Sequence, residues 1–264
     1  MIQLDNISRN LGGKTVLCNL SMTVERGQTQ VIVGASGAGK SVMLRHVIGL
    51  LTPDAGRVLI DGLPVGSAAA GDLEAVRSRF GVLFQSGALI NWMNVFDNVA
   101  LPLYEKTEMS DGEIRDNVMS KLELVGMQDA HAKMPAELSG GMRKRVGLAR
   151  AIIRDPGVIL YDEPTSGLDP VLARSIDHLI CRLQDTLGVT SVVVTHDLHS
   201  AFYVGNRIAM LAEGQIEANC TPAEFARHAS PTVQKFVQAQ FGDQETAARF
   251  ADHSVCLRKE YHES

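Results

Sequence analysis

The sequence predicts an α/β fold built on a buried, largely parallel sheet, and three observations predict it. First, the apolar run Gln30-Val31-Ile32-Val33 leads into the glycine loop Gly34-Ala35-Ser36-Gly37-Ala38-Gly39-Lys40-Ser41. Met43, Leu44, Val47, Ile48 and Leu51 follow at helical spacing, so the order is strand, loop, helix over Lys40 to Leu51. Second, Val158-Ile159-Leu160-Tyr161 and Val192-Val193-Val194 are continuous apolar runs that end in polar residues, Asp162-Glu163 and Thr195-His196-Asp197. Strands buried on both faces, with polar groups at one edge, fit a parallel sheet that holds its ligand along that edge. Third, from Ser86 to about Arg154 the pattern turns helical, which reads as an insertion within the α/β chain.

The chain has 264 residues, 45% of them hydrophobic, enough for one large α/β domain or a core with an inserted subdomain. Its net charge of -5 speaks against nucleic acid as a partner. Cys18, Cys181, Cys220 and Cys256 are far apart and suit reduced thiols in a cytosolic protein. Met1-Ile2-Gln3-Leu4-Asp5 shows no secretory signal, and no apolar stretch approaches the roughly 20 residues that span a bilayer. A membrane role is therefore expected to come through a partner.

Gly12-Gly13 marks a hairpin, with Val16 to Val24 alternating like a strand pair, and no aromatic residue precedes Phe80. The glycine loop fits the phosphate-loop pattern G-x-x-x-x-G-K-[ST] at every fixed position. Such a loop turns backbone N–H groups and a helix N-terminus toward a phosphate chain, and its glycines let the backbone come close. Lys40 would reach the β- and γ-phosphates and the Ser41 hydroxyl would bind Mg²⁺. A ligand-free glycine turn is the alternative, and the strand and helix on either side argue against it.

Thr52 to Gly56 is turn chemistry, Arg57 to Ile60 a short strand closed by Asp61-Gly62, and residues 63–72 are small and loop-like. Gly81-Val82-Leu83-Phe84-Gln85 is another apolar run. Gln85 at its end could reach a metal or a water, or could be a solvated strand terminus. Leu89, Ile90, Trp92, Met93, Val95 and Phe96 make the next stretch densely apolar, which suggests a docking surface, with several of them packing the helical segment instead.

Ser110 with Glu113 forms a capping box ahead of Ile114, Val118, Leu122 and Val125. Leu138-Ser139-Gly140-Gly141-Met142 opens the next helix, with Met142, Val146, Ala149 and Ile153 as its apolar stripe and Pro156 as its stop. Ser139, Gly140 and Gly141 stand where the helix field favours an anion, although a plain serine cap looks the same. Arg143-Lys144-Arg145 reads as a solvated basic face. Asp162 suits a Mg²⁺ shell and Glu163 a base that polarises water. Pro170 opens a long helix to Leu187, and His196 is placed for a phosphate contact. Short strands are expected around Glu213-Gly214 and short helices over 222–241, and the polar tail from Gly242 carries no pattern that assigns it a structure.

In this order, GASGAGKS, Gln85, LSGGM, VILYDE, SGLD and TH resemble the ATP-binding subunits of ABC transporters, and LSGG separates these from other phosphate-loop ATPases. The stretch LFQSGALINWMNVFDNVALPL resembles one branch, the ATPases of Mla-type (Mce-associated) phospholipid transporters. The resemblance implies a RecA-like core with an antiparallel β subdomain and a helical subdomain at about 86–154, within a cassette of residues 1–240 followed by a tail at 241–264. It implies a homodimer with two ATP molecules between head-to-tail chains. Each site would take Gly34 to Ser41, Gln85, Asp162, Glu163 and His196 from one chain and Ser139, Gly140 and Gly141 from the other. Ser41, Gln85 and Asp162 would hold Mg²⁺, Glu163 would position the attacking water, His196 would hold the γ-phosphate, and Asp169 would link the two sites.

The resemblance also implies a peripheral place on the cytoplasmic face of the inner membrane. There the helical subdomain would dock on an integral membrane permease, accompanied by a periplasmic Mce-type partner. One position departs from the family pattern: the aromatic residue that covers adenine is replaced by Leu11, with Arg9 nearby as a guanidinium that could lie against the base. Other cargoes remain open. A DNA-repair or translation ATPase is disfavoured by the single cassette and short helical insert, and an inactive homologue by intact Lys40, Asp162, Glu163 and His196.

Overall fold

The computed structural model describes residues 1–65 and 76–262, with side chains through 254. The chain divides into two compact units, residues 1–77 with 192–264, and residues 78–191.

In the first unit, β1 (Ile2–Leu11) and β2 (Lys14–Val24) pair antiparallel, with Leu11 opposite Lys14 and Ile2 opposite Val24. Gly12 and Gly13 make the turn with φ of 56° and 81°, the paired positive values that a two-residue hairpin of this hand needs. Alternation along β2 buries Leu17, Leu20, Met22 and Val24. β3 (Thr29–Val33) is buried throughout and runs into the glycine loop, and α1 (Lys40–Val47) follows. The helix stops short of the predicted Leu51, because Gly49 turns left-handed (φ 68°) and the Leu50 and Leu51 N–H groups both fold back onto the Arg45 carbonyl.

β4 (Ala55–Ile60) pairs with the free edge of β1, and β5 (Leu63–Val65) pairs with β4, giving a four-stranded antiparallel sheet in the order β2-β1-β4-β5. The expectation of a loop from residue 63 is therefore corrected for its first part: the Asp61-Gly62 turn reverses the chain and hands Leu63 to Val65 to β4. Residues 66–72 of that expected loop lie outside the described residues.

In the second unit, β6 (Phe80–Leu83) lies parallel to β7 (Val158–Asp162), with Leu83 opposite Tyr161. The helices between them are α2 (Val95–Lys106), α3 (Asp111–Leu124) and α4 (Gly140–Ile152). Ser110 and Glu113 make the reciprocal capping box that opens α3. Asp169 accepts from the Val171 and Leu172 N–H groups to open α5 (Pro170–Leu187), which ends at the left-handed Gly188. β8 (Thr190–Val194) begins beside β7.

The first unit takes up the chain again within β8, and its sheet order is β10-β9-β3-β8. β9 (Arg207–Ala212) runs parallel to β3, with Val31 opposite Ile208, and antiparallel to β10 (Gln215–Cys220). α6 (Leu198–Val204) follows β8, and α7 (Pro222–Ala226) and α8 (Pro231–Phe241) supply the two short helices expected there. The polar tail is helical as well, as α9 (Gln244–His262). It buries Ala247, Ala248, Ala251 and Ser254, and its Phe250 joins a ring cluster with Phe202, Phe241 and His199. No described helix is long and apolar enough to cross a membrane.

Candidate functional site: a phosphate loop and a carboxylate turn

The first unit contributes the glycine loop. Gly34 has φ of 153°, and a Cβ there would stand 2.3 Å from the Leu211 carbonyl oxygen, so the loop leaves β3 where only glycine fits. Gly39 (φ 104°) lies against β2, with Val16 O 3.0 Å from where its Cβ would be. Ala35, Ser36, Gly37 and Ser41 are exposed and Ala38 is half-buried. Lys40 is buried and closes the loop on itself, its Nζ donating to Gly34 O at 2.7 Å and Ala35 O at 3.1 Å.

His196 stands near this loop through the backbone. The Thr195 N–H donates to Ile32 O at 3.1 Å on the strand that feeds the loop, and Gln240 Nε2 donates to His196 O at 2.9 Å. His196 itself is exposed.

Leu11 is at the turn end of the hairpin, opposite Lys14, and is 37% exposed. Arg9 does not take the role of a flat cover for a base. Its Nη1 donates to Asp54 Oδ1 at 2.6 Å and to Thr52 O at 3.1 Å, because Asp54 sits below β1 after the α1 turn. The Asn10 backbone N–H on the Asp54 carboxylate, with Arg9 beside it, holds that carboxyl below its ordinary range. Val16 and Leu17 are the hairpin residues that lie against the phosphate loop at Gly39, and the sequence reading singled out neither for that place. Their only signal is a place on the strand expected from Val16 to Val24, too weak to single them out.

The second unit contributes a turn of carboxylates. Asp162 ends β7 and Glu163 follows in the left-handed region, φ 51°. A residue with a Cβ adopts that backbone only where its surroundings impose it. The Glu163 carbonyl accepts from Lys144 Nζ at 3.0 Å and from the Ser166 N–H at 3.2 Å. Gln85 Nε2 donates to Ser166 Oγ at 3.2 Å, so Gln85, Glu163 and Ser166 stand together at the ends of the neighbouring strands β6 and β7.

Ser139 caps α4, accepting from the Met142 N–H at 3.3 Å. Gly140 and Gly141 begin the helix against the start of α5 and the residues before it: a Cβ would come within 3.2 Å of Leu168 Cδ2 and 3.6 Å of Leu172 Cδ1 respectively. Val171, which precedes Leu172 in the chain, is 78% exposed.

The basic run after Ser139 is not a solvated face, which corrects the sequence reading. Arg143 Nη1 donates to Leu138 O at 2.7 Å, Arg145 Nη1 donates to Val125 O at 2.8 Å, and Lys144 is only 4% exposed. Burial holds the Lys144 ammonium below its ordinary pKa, opposed by the charges of Glu163 and Asp162. The missed signal was periodic: Lys144 falls on the same buried stripe as Gly141, Leu148 and Ile152. Arg150, further along α4, donates from Nη2 to Gly87 O at 3.0 Å. Gly87 (φ 76°) and Gly147 meet backbone to backbone, a Cβ on Gly147 falling 2.9 Å from Gly87 O.

One unit thus carries exposed loop residues, a buried ammonium and an imidazole, and the other carries two adjacent carboxylates, a carboxamide and a serine-capped helix. Among the described residues, no cluster of His, Cys, Asp and Glu forms a metal site unaided.

The chain is similar to known proteins over most of its length. The family model described as ABC transporter matches residues 17–166, more than half the chain. MlaF of Escherichia coli, named an intermembrane phospholipid transport system ATP-binding protein, is 40% identical over 90% of this chain and 88% of its own. Mkl of Mycobacterium tuberculosis, named a probable ribonucleotide transport ATP-binding protein, is 37% identical over 99% of this chain and 74% of its own. Among solved structures, the ATP-binding cassette MJ0796, described as a dimer in a post-hydrolysis state with ADP and Pi, has a TM-score of 0.76. It is 33% identical and covers 84% of this chain and 98% of its own. CbiO1 of Clostridium perfringens, part of a transporter complex, has a TM-score of 0.79 at 27% identity over 91% of this chain and 95% of its own. With its phosphate loop, LSGG helix and carboxylate turn in place, the chain belongs to the ABC transporter family and is one of its ATPases.

Proposed function

We propose that this chain powers phospholipid transport between membranes, as one of a pair of identical ATPase subunits under an integral membrane permease. The likeness to MlaF carries the cargo reading. Its name specifies intermembrane phospholipid transport, and it matches most of both chains. The name of Mkl favours ribonucleotide as the second reading. A periplasmic lipid-binding partner of the Mce type and a peripheral place on the cytoplasmic face of the inner membrane complete the proposal. Trp92, 81% exposed beside half-buried Leu89, Ile90 and Met93, supports a docking surface in the second unit.

In this reading the loop Gly34 to Ser41 binds the phosphates through backbone N–H groups, and Lys40 turns its ammonium from the loop carbonyls to the β- and γ-phosphates. Glu163 orients the water that attacks the γ-phosphorus, His196 holds the γ-phosphate, and Ser139, Gly140 and Gly141 complete the site of the opposite subunit. Val171, exposed next in the chain to the Leu172 that faces Gly141, supports a covered face there. The reaction consumes one water and leaves ADP and phosphate.

Ser41, Gln85 and Asp162 supply hydroxyl, amide and carboxylate oxygens, a hard donor set that suits Mg²⁺. Gln85 gives its amide N–H to Ser166, and its amide oxygen is the atom that such a role would use. Bound Mg²⁺ would neutralise charge on the β- and γ-phosphates.

The test is to purify the chain with the membrane protein it carries along, reconstitute the complex in vesicles, and follow ATP-dependent movement of labelled phospholipid and labelled ribonucleotide. Phospholipid movement is expected, abolished by Glu163→Gln, which should bind ATP yet hydrolyse it roughly 10²–10⁴-fold more slowly. Movement of ribonucleotide alone would overturn the cargo, and absence of any membrane partner would overturn the transporter.

A further inference from the structure

Lys144 is a buried cation for which the mechanism above has no use. A lysine is seldom taken out of water unless its charge has work to do or a partner to meet, since an aliphatic side chain would fill the same space without the desolvation cost. Its Nζ donates to Glu163 O at 3.0 Å and stands close enough to Asp162 and Glu163 to feel both charges. The same carbonyl accepts from the Ser166 N–H at 3.2 Å, so two donors converge on one oxygen. That oxygen belongs to the one residue of the turn that carries a side chain and still has a left-handed backbone, φ 51°. Without donors on its carbonyl the peptide can relax toward the ordinary region, and the carboxylate moves with it.

We infer that Lys144 is a positioning residue for hydrolysis: it holds the Glu163 carbonyl, and with it the backbone that sets where the Glu163 carboxylate stands. Lys144 lies on α4, the helix that Ser139 opens, so one rigid element joins the LSGG segment to the carboxylate turn of the same chain. This rests on the assignment of Glu163 to the attacking water.

The experiment uses the full chain and compares wild type, Lys144→Met, Lys144→Arg, Glu163→Gln and the double variant Lys144→Met/Glu163→Gln. Steady-state and single-turnover hydrolysis give kcat and KM. ATP affinity is read in the Glu163→Gln background, where turnover is blocked. Lys144→Met should lower kcat on the order of 10- to 100-fold, the worth of one hydrogen bond to a charged group, with KM and ATP affinity changed less than about threefold. Lys144→Arg, which keeps a charged donor, should recover most of the rate.

In the Glu163→Gln background Lys144→Met should cost less than about twofold more, because residues that act as one unit are not additive. A kcat for Lys144→Met within about twofold of wild type, or a double variant as slow as the two single losses multiplied, overturns the inference. If circular dichroism shows Lys144→Met unfolded, Lys144→Gln replaces it under the same criteria. Wild-type turnover by Glu163→Gln would instead remove the role of Glu163 itself, an outcome distinct from an indifferent Lys144 beside an inactive Glu163→Gln.

Discussion

Replacing Asn98 by alanine should loosen the second unit through two backbone groups. The Asn98 side chain is 0% exposed in α2. Its Nδ2 donates to Ile90 O (3.0 Å), Met93 O (2.9 Å) and Asn94 O (3.0 Å), and its Oδ1 accepts from the Ile90 N–H at 2.7 Å. Two of these carbonyls have a second donor, Ile90 O from the Met93 N–H and Asn94 O from the Asn98 N–H. Alanine therefore strands chiefly the Ile90 N–H and Met93 O.

At about 1–3 kcal/mol for each buried polar group left unpaired, with water reaching part of this half-buried loop, the loss should be about 2–4 kcal/mol. The assay is built into the chain: Trp92, its one tryptophan, sits in the tethered loop. Urea unfolding followed by Trp92 fluorescence reads the second unit, and hydrogen exchange reads the Ile90 amide. Asn98→Asp should be worse than Asn98→Ala, since a carboxylate buries charge and cannot donate. A change below about 0.5 kcal/mol, with Ile90 still protected, would refute the reasoning.

Lys40→Ala should abolish ATP binding while the fold survives, with about 1–2 kcal/mol lost as Gly34 O and Ala35 O give up a charged donor. Nucleotide titration beside thermal melting checks both parts, and unaltered ATP affinity in the folded variant would count against the phosphate loop. Mixing Ser139→Arg subunits with Lys40→Ala subunits should leave at most one intact site per mixed dimer. Full activity of either variant alone, at every protein concentration, would contradict shared sites. ATP and GTP should bind within about tenfold of each other, because Leu11 offers no aromatic face and Arg9 is held by Asp54. Leu11→Tyr should tighten ATP, measured in the Glu163→Gln background, and a hundredfold preference for ATP in the wild type would show that another residue reads the base.

Much of the fold was legible because the strongest signals are local. Continuous runs such as Val158 to Tyr161 form buried parallel strands, and the Ser110–Glu113 box and Pro170 mark helix starts where a side chain or a fixed φ does the work. The tail was opaque for the opposite reason. α9 buries alanines and Ser254, small residues that add little to any apolar pattern, and the Phe250 contacts that seat it come from distant parts of the chain. Arg9 and Lys144 escaped in the same way. A charge in a sequence looks solvated until the fold places Asp54 or the Glu163 carbonyl against it. The ends of α1 and β5 hung on glycine turns at Gly49 and Gly62, whose handedness no spacing announces.

The meeting of Gly87 and Gly147 has a mechanical consequence. A pair of side chains between two segments acts as padding, since rotamers can shift and absorb small movements. Here backbone lies on backbone, and Arg150 fastens the Gly87 carbonyl from the side. The loop that carries Gln85 and the helix that begins after Ser139 are therefore joined with little slack for side chains to take up a displacement of either. The same contact forbids compensation: a methyl group at Gly147 would press on the loop, and one at Gly87 would lie 2.8 Å from Arg143 O. Stiffness at this point thus depends on two residues that have no side chain at all.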